Sequence, residues 1–214
     1  MRGFGLRPSH RVNLAEDGDA CRLLQRQASR QEAARQVLDV LQPLKRWQRF
    51  GEPRLCGAAA YGLLVVPDID IEIYGDLRVE SGFALLAAWA KDPAVRRALF
   101  INAVGEADAG LGWELRYHHQ GVPWTVQMWL LAGDYDGPRS ADLVGPMRSA
   151  LDDVTRAAIL RLKEALVERG AAYRSIDVYR AVLDHGVESV EEYDRWCRSY
   201  SSTGLINWRP APSR

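Results

Sequence analysis

The chain has 214 residues, enough for one large domain or two small ones. Its 28 basic and 28 acidic residues give a formal net charge of zero, which argues against nucleic acid bound through a broad basic surface. No apolar run reaches the roughly 20 residues that a membrane-spanning helix needs, and the N-terminus lacks the apolar region of a signal peptide. We therefore expect a cytoplasmic protein with no membrane partner.

The predicted elements change in character along the chain. Residues 1–18 are polar and are expected to form a flexible N-terminus. Apolar residues recur at helical spacing through 19–48, where Pro43 is expected to kink or divide the helix. Strand and helix patterns then alternate up to residue 137, and only helical patterns follow in 138–214. The sequence therefore predicts a mixed α and β core at 19–137 and a C-terminal helical region.

The most informative stretch runs from Gly57-Ala58 to Asp68-Ile69-Asp70. Because a strand sends alternate side chains to opposite faces, Asp68, Asp70 and Glu72 are predicted to share one face, and the intervening isoleucines to face the core. Carboxylates two residues apart on a strand are about 7 Å apart along the chain, close enough to bind one hard cation. The predicted elements are a strand at 53–57, a short helix at 58–65 and a strand at 68–74.

A hairpin is predicted further on, from the alternating segments on either side of Gln120-Gly121. A turn centred on these two residues places Glu114 directly opposite Gln127, and Arg116 opposite Thr125. Opposed side chains of this kind have Cβ atoms about 5 Å apart on one face of the sheet.

The stretch from Gly57 to Asp70 resembles the signature of the nucleotidyltransferase superfamily, the fold of DNA polymerase beta and of the aminoglycoside and lincosamide nucleotidylyltransferases. That signature is a Gly followed by Gly or Ser, a short spacer, and an acid-hydrophobic-acid strand. The resemblance implies an α+β fold, with a mixed sheet, flanking helices and a C-terminal helical domain. It also implies that the turn at Gly57 and Ala58 binds a nucleoside triphosphate, that Asp68 and Asp70 bind Mg²⁺, and that a third acid lies on a later strand.

Two residues depart from the family pattern. Ala58 lacks the hydroxyl that would bind a phosphate oxygen, and Gln127 occupies the position expected for the third acid. Our hypothesis is that Glu114, opposite Gln127, partly replaces that acid as a catalytic residue. The alternative is a polar contact of Glu114 with Gln127 or Arg116. Arg116 and His118 share this face and are further candidates for nucleotide binding.

The resemblance implies an enzyme that transfers a nucleoside monophosphate to a small-molecule acceptor, such as an antibiotic or another metabolite. Asp68, Asp70, Gln127 and Glu114 would form its catalytic site, with Mg²⁺ weakly bound because Gln127 carries no charge. Two alternatives remain open. In one, the fold has been recruited for another reaction or for binding only; in the other, the chain is a non-catalytic partner in a protein complex, for example a toxin–antitoxin pair.

Overall fold

The computed structural model describes residues 14–106, 109–200 and 206–211. Most of the predicted flexible N-terminus therefore lies outside the described residues, but the first helix already begins at Leu14. The helices are α1 Leu14–Leu41, α2 Pro43–Trp47, α3 Gly57–Tyr61, α4 Val79–Trp89, α5 Val144–Ala150, α6 Asp153–Glu168, α7 Ser175–His185 and α8 Val190–Ser199. The strands are β1 Gly51–Cys56, β2 Asp68–Gly75, β3 Val95–Asn102, β4 Gly110–His119 and β5 Val122–Ala132.

The five strands form one mixed sheet in the order β1-β2-β5-β4-β3. Only β2 and β5 pair in parallel; the other neighbours are antiparallel. Helices flank this sheet, and from Ser140 onward the described chain contains helices and no strand. The predicted α+β class, a mixed sheet with flanking helices followed by a helical region, is therefore confirmed.

Two hydrophobic clusters hold these elements together. The first packs α1, α2 and α4 against one face of the sheet, and the Trp47 indole donates to Met128 Sδ at 3.2 Å within it. The second joins α3 to the helices α5 to α8. Helix α1 contributes to both, because Leu23 is buried in the second cluster and Val37 in the first. The sheet and the helical region thus pack against the same long helix.

Local backbone geometry explains where two predicted helices end. Gln42 adopts the left-handed conformation with φ 47°, so α1 stops at Leu41 and Pro43 begins α2, as the predicted division requires. Helix α3 was predicted to run to residue 65 but ends at Tyr61, because Gly62 takes a left-handed φ of 71°. Among the described residues, no helix is long and apolar enough to cross a bilayer.

Candidate active site

A cleft of about 410 Å³ opens between the start of β2 and the helical region. This volume lies within the range of small-ligand sites in proteins. Its walls come from the turn into α3, from the loop and the 3-10 helix Ser140–Leu143 after β5, from α6 and α7, and from residues 206–209. Its charged and polar lining residues are Asp68, Asp70, Asp136, Arg139, Ser140, Asp142, Lys163, Arg174, Ser175, Asn207 and Arg209.

The floor of this cleft depends on a close contact between Gly57 and Asp70. Gly57 begins α3 with φ +62°, a conformation that residues with a side chain rarely adopt. A Cβ on Gly57 would lie 2.1 Å from Asp70 Oδ2. Only glycine at this position lets the Asp70 carboxylate lie against the turn.

Asp68 and Asp70 project from β2 into the cleft, while Ile69 and Ile71 between and after them are buried. Burial raises the pKa of Asp70 to about 7, and repulsion from Asp68 adds to the effect. Burial likewise raises the pKa of Asp68, against the attraction of Arg116. Asp68 Oδ1 is buried and has no hydrogen-bond partner among the residues that the structure describes. Two crowded carboxylates of this kind form a strong electrostatic site for a cation.

Lys163 on α6 supplies a positive charge to the same cleft, and it was not among the predicted site residues. Its side chain is 1% exposed, and Nζ donates to the Leu63 carbonyl at 3.0 Å. Burial lowers its pKa to about 8, against the attraction of Asp70 and Asp68. A signal was present in the sequence, because Lys163 falls on the apolar stripe of α6 between Ile159 and Leu166. A lysine on a buried helix face needs polar partners, and here the Leu63 carbonyl and the Tyr179 hydroxyl accept from Nζ while the charges of Asp70 and Asp68 attract it at longer range.

The predicted hairpin register is confirmed, since Glu114 pairs with Gln127 and Arg116 with Thr125. Gln127 in turn lies beside Asp70 on the parallel strand β2. Glu114 is thus two strands away from Asp70, with Gln127 between them. The Arg116 guanidinium Nε donates to Glu114 Oε1 at 2.9 Å, and its Nη1 donates to Thr125.

Four predicted site residues lie outside the cleft described above. Glu114, Arg116, His118 and Gln127 are not among the residues that line it. His118 is exposed and lies next to the hairpin turn. Its backbone N–H donates to the carbonyl of Ala94, the residue before β3. The structure thus brings Gly57, Ala58, Asp68 and Asp70 together in the cleft. The hairpin residues lie beside the cleft, on the neighbouring strands of the sheet.

Glu72, the third acid on the shared face of β2, is engaged in hydrogen bonds within the protein. Its carboxylate accepts hydrogen bonds from the backbone N–H groups of Ser140 and Ala141, each at 2.9 Å, and from the Tyr74 hydroxyl. Glu72 therefore fixes the start of the 3-10 helix that forms one wall of the cleft.

The two carboxylates have the donor chemistry for one Mg²⁺ ion whose other ligands would be phosphate oxygens. Magnesium is commonly held by one or two carboxylates together with substrate phosphates. Asp68 and Asp70 are such a pair, and the unpartnered Asp68 Oδ1 is an oxygen ligand without another role. Within the described ranges, no three His, Cys, Asp or Glu side chains gather into a metal cluster, so a second ion that needs a third acid does not fit.

Comparison with solved structures identifies the fold. A cytoplasmic RNA terminal U-transferase superposes on 80% of this chain with a TM-score of 0.57 and 13% sequence identity. The chain has the nucleotidyltransferase fold. The non-canonical poly(A) polymerase complex GLD-2–GLD-3 also matches, over 75% of the chain, with a TM-score of 0.50 and 14% identity. This nucleotidyltransferase-fold chain spans only 55% and 57% of the respective matched chains. No family model and no curated protein matches the sequence.

These comparisons correct one prediction from composition. The zero net charge argued against nucleic acid as a partner, but the matched proteins of this fold include an RNA terminal U-transferase and a poly(A) polymerase. That prediction is wrong because net charge averages the whole surface. A local groove can bind phosphates while acidic residues elsewhere balance the total.

Proposed function

We propose that this protein transfers a nucleoside monophosphate from a nucleoside triphosphate to a hydroxyl or amino group of a small-molecule acceptor. The observation that carries the proposal is the packing of Asp70 against Gly57, with Asp68 beside it and Lys163 across the cleft. This arrangement offers both a cation site and a fixed positive charge to one triphosphate. The nucleotidyltransferase fold supports the same reading.

In the proposed reaction, an acceptor oxygen or nitrogen attacks the α-phosphate, and pyrophosphate leaves. Mg²⁺, when bound, supplies positive charge to the phosphate oxygens. Asp68 and Asp70 would hold it, and their rigid attachment to β2 fixes its place. The buried Lys163 ammonium offers a preorganised positive charge in the same cavity, which is worth more there than in water.

Among the residues that the structure describes, the site offers no evident general base to deprotonate the acceptor. Gln127 carries a neutral amide beside Asp70 and accepts no proton at physiological pH. Glu114 is ion-paired with Arg116, so its carboxylate is already engaged. We propose that transfer is slow compared with that of an enzyme with three acids, since losing one charge-stabilising group lowers rates by about 10²–10³.

The direct test incubates the protein with each labelled nucleoside triphosphate, Mg²⁺ and a panel of hydroxyl- and amino-bearing acceptors, and measures released pyrophosphate. The proposal predicts acceptor-dependent pyrophosphate release that is lost in Asp70→Asn. Asp134→Asn, an exposed aspartate beyond the end of β5, is the matched control and should keep activity. Equal release by wild type and Asp70→Asn would overturn the assignment.

A second candidate acceptor is the 3′ end of RNA. The fold shared with an RNA terminal U-transferase favours it. The same assay with short single-stranded RNA in place of the small molecules separates the two, because RNA extension appears as a ladder of longer products.

A binding-only role is a further alternative, and Gln127 and Ala58 favour it. Both fall where the chemistry of the family calls for polar or charged groups. Nucleotide binding without pyrophosphate release, under every acceptor condition, would support this alternative over the transferase.

A further inference from the structure

The C-terminal segment forms one wall of the same cleft that holds Asp68 and Asp70. Residues 206–209 line the cavity, although they lie more than 130 residues from these aspartates in the sequence. The segment has no regular secondary structure, so its position depends on side-chain contacts.

Two contacts tether this wall to different parts of the helical region. The Trp208 indole Nε1 donates to Asp184 Oδ2 at 2.7 Å, and the Trp208 ring packs against the second hydrophobic cluster. Arg209 pairs with Asp142 of the 3-10 helix, with Nη2 and Oδ2 3.7 Å apart. The next residue, Pro210, is buried. Trp208 and Pro210 therefore hold the chain on the C-terminal side of Asn207.

Asn207 is the polar side chain of this wall that is available to bind a ligand. It is exposed and lines the cavity, and its amide has no hydrogen-bond partner within the part of the chain that the structure describes. By contrast, the polar groups of Trp208 and Arg209 are engaged by Asp184 and Asp142. An asparagine amide offers one acceptor and two donors, the complement of the hydrogen-bonding edge of a nucleobase.

The two ends of the cleft differ in chemistry, and this difference indicates how a nucleotide would be oriented in it. Asp68, Asp70 and Lys163 form the end that suits a triphosphate and a cation. The segment 206–208 instead lines the cleft with two apolar residues, Ile206 and Trp208, and with the amide-bearing Asn207. Apolar surface with an amide suits a base, because a base needs an apolar contact for its face and hydrogen bonds for its edge.

We infer that Asn207 selects the base of the bound nucleoside triphosphate, with Ile206 and Trp208 as its apolar support. The inference rests on the proposed function and goes beyond it, because it assigns base selection to a residue outside both the sheet and the helices. Its ligand is a nucleoside triphosphate whose base edge pairs with an amide.

The test measures the dissociation constants of ATP, GTP, CTP and UTP with Mg²⁺ by calorimetry, for the full chain and for Asn207→Ala and Asn207→Asp. The wild type is expected to prefer one base by roughly tenfold or more, the scale of one good side chain–base pair. Asn207→Ala should reduce that preference to within about twofold. Asn207→Asp should move GTP up the order, because a carboxylate accepts from both N–H donors on the guanine edge.

Asn102→Ala is the matched control, since Asn102 is exposed at the end of β3 and lies outside the cleft lining. It should leave all four constants unchanged. A wild type that prefers one base, with Asn207→Ala keeping that preference, would overturn this inference alone. Equal affinity of the wild type for all four nucleotides would overturn it as well. A wild type that binds no nucleotide would overturn the proposed function itself.

Discussion

Gly57 and Asp70 are in direct contact: the Asp70 carboxylate occupies the space where any larger residue at position 57 would place its Cβ, 2.1 Å from Oδ2. The turn into α3 and the acidic strand β2 therefore form one unit rather than two separate motifs. The glycine has two roles there, because it adopts the left-handed conformation and leaves room for the carboxylate.

Gly57→Ala is predicted to displace Asp70 as well as strain the turn. The left-handed conformation alone should destabilise the fold by about 1–2 kcal/mol. Displacement of Asp70 adds to this and should weaken nucleotide binding in Mg²⁺ by at least about tenfold, a factor that corresponds to about 1.4 kcal/mol. Urea denaturation measures the first effect, and calorimetric titration measures the second.

Gly121→Ala is the matched control for this variant. Gly121 has φ +79°, but no atom lies within 4 Å of the Cβ it would gain. It should show the strain alone, with nucleotide affinity unchanged. If the two variants lose the same stability and neither loses affinity, the contact with Asp70 has no role in binding.

The contribution of Asp70 to stability should fall as pH rises from about 4 to 7. Burial and the neighbouring Asp68 raise its pKa to about 7 in the folded protein, above the unfolded value of about 4. A raised carboxyl pKa means that the folded state binds the proton more tightly, so its stabilising contribution is complete below pH 4 and is lost as pH rises through 7. The free energy of unfolding of Asp70→Asn, relative to that of the wild type, should therefore rise between about pH 4.5 and 7.5. The rise should be on the order of a few kcal/mol. Urea denaturation at several pH values without Mg²⁺ measures this gain.

Asp134→Asn serves as the control for this pH series because Asp134 is exposed. Its stability should follow the wild type at every pH. A constant difference between Asp70→Asn and the wild type across the range would show that the Asp70 proton is bound equally in both states.

Gln127→Asp is predicted to create a stronger metal site. A third carboxylate beside Asp70 should destabilise the protein without metal through like-charge repulsion, and added Mg²⁺ should reverse this loss. Pyrophosphate release should rise by about tenfold or more. Thermal melts with and without Mg²⁺, and the transfer assay, measure both effects.

The control for Gln127→Asp is Gln48→Asp, which adds the same charge at an exposed position after α2. It should change neither the response to Mg²⁺ nor the rate. A Gln127→Asp protein that responds to Mg²⁺ no more than this control would show that position 127 is not part of a metal site.

Glu72→Gln should loosen the wall of the cleft formed by the 3-10 helix. The glutamine keeps one acceptor oxygen, and its NH₂ group would face a backbone N–H of Ser140 or Ala141. A buried donor left without a partner costs about 1–3 kcal/mol in stability, and nucleotide affinity should fall with it. Chemical denaturation and nucleotide titration check both effects. The exposed Glu52→Gln on β1 should change neither, and equal behaviour of the two variants would contradict the anchoring role.

The sheet side of the site was predictable from the sequence because its rules are local. A two-residue turn fixes a hairpin register, so the pairing of Glu114 with Gln127 followed from the position of Gln120-Gly121 alone. Strand alternation similarly placed Asp68 and Asp70 on one face. The motif spacing then indicated the fold, which the solved structures confirm.

The helical side of the cleft was not predictable in the same way. Lys163, Arg174 and Asn207 reach the cleft through packing between elements about 100 residues or more from β2. The apolar stripe of α6 marks Lys163 as buried, but no local pattern indicates which distant residues it meets. For the hairpin residue Glu114, the predicted register is correct, and two strand widths separate it from Asp70.

The most direct test of the central claim is a crystal structure of the protein with Mg²⁺ and a non-hydrolysable nucleoside triphosphate. The account predicts one Mg²⁺ ion about 2.1 Å from oxygens of both Asp68 and Asp70, with the triphosphate beside Lys163. A nucleotide bound elsewhere, or bound in the cleft with no ion between it and the two aspartates, would contradict it.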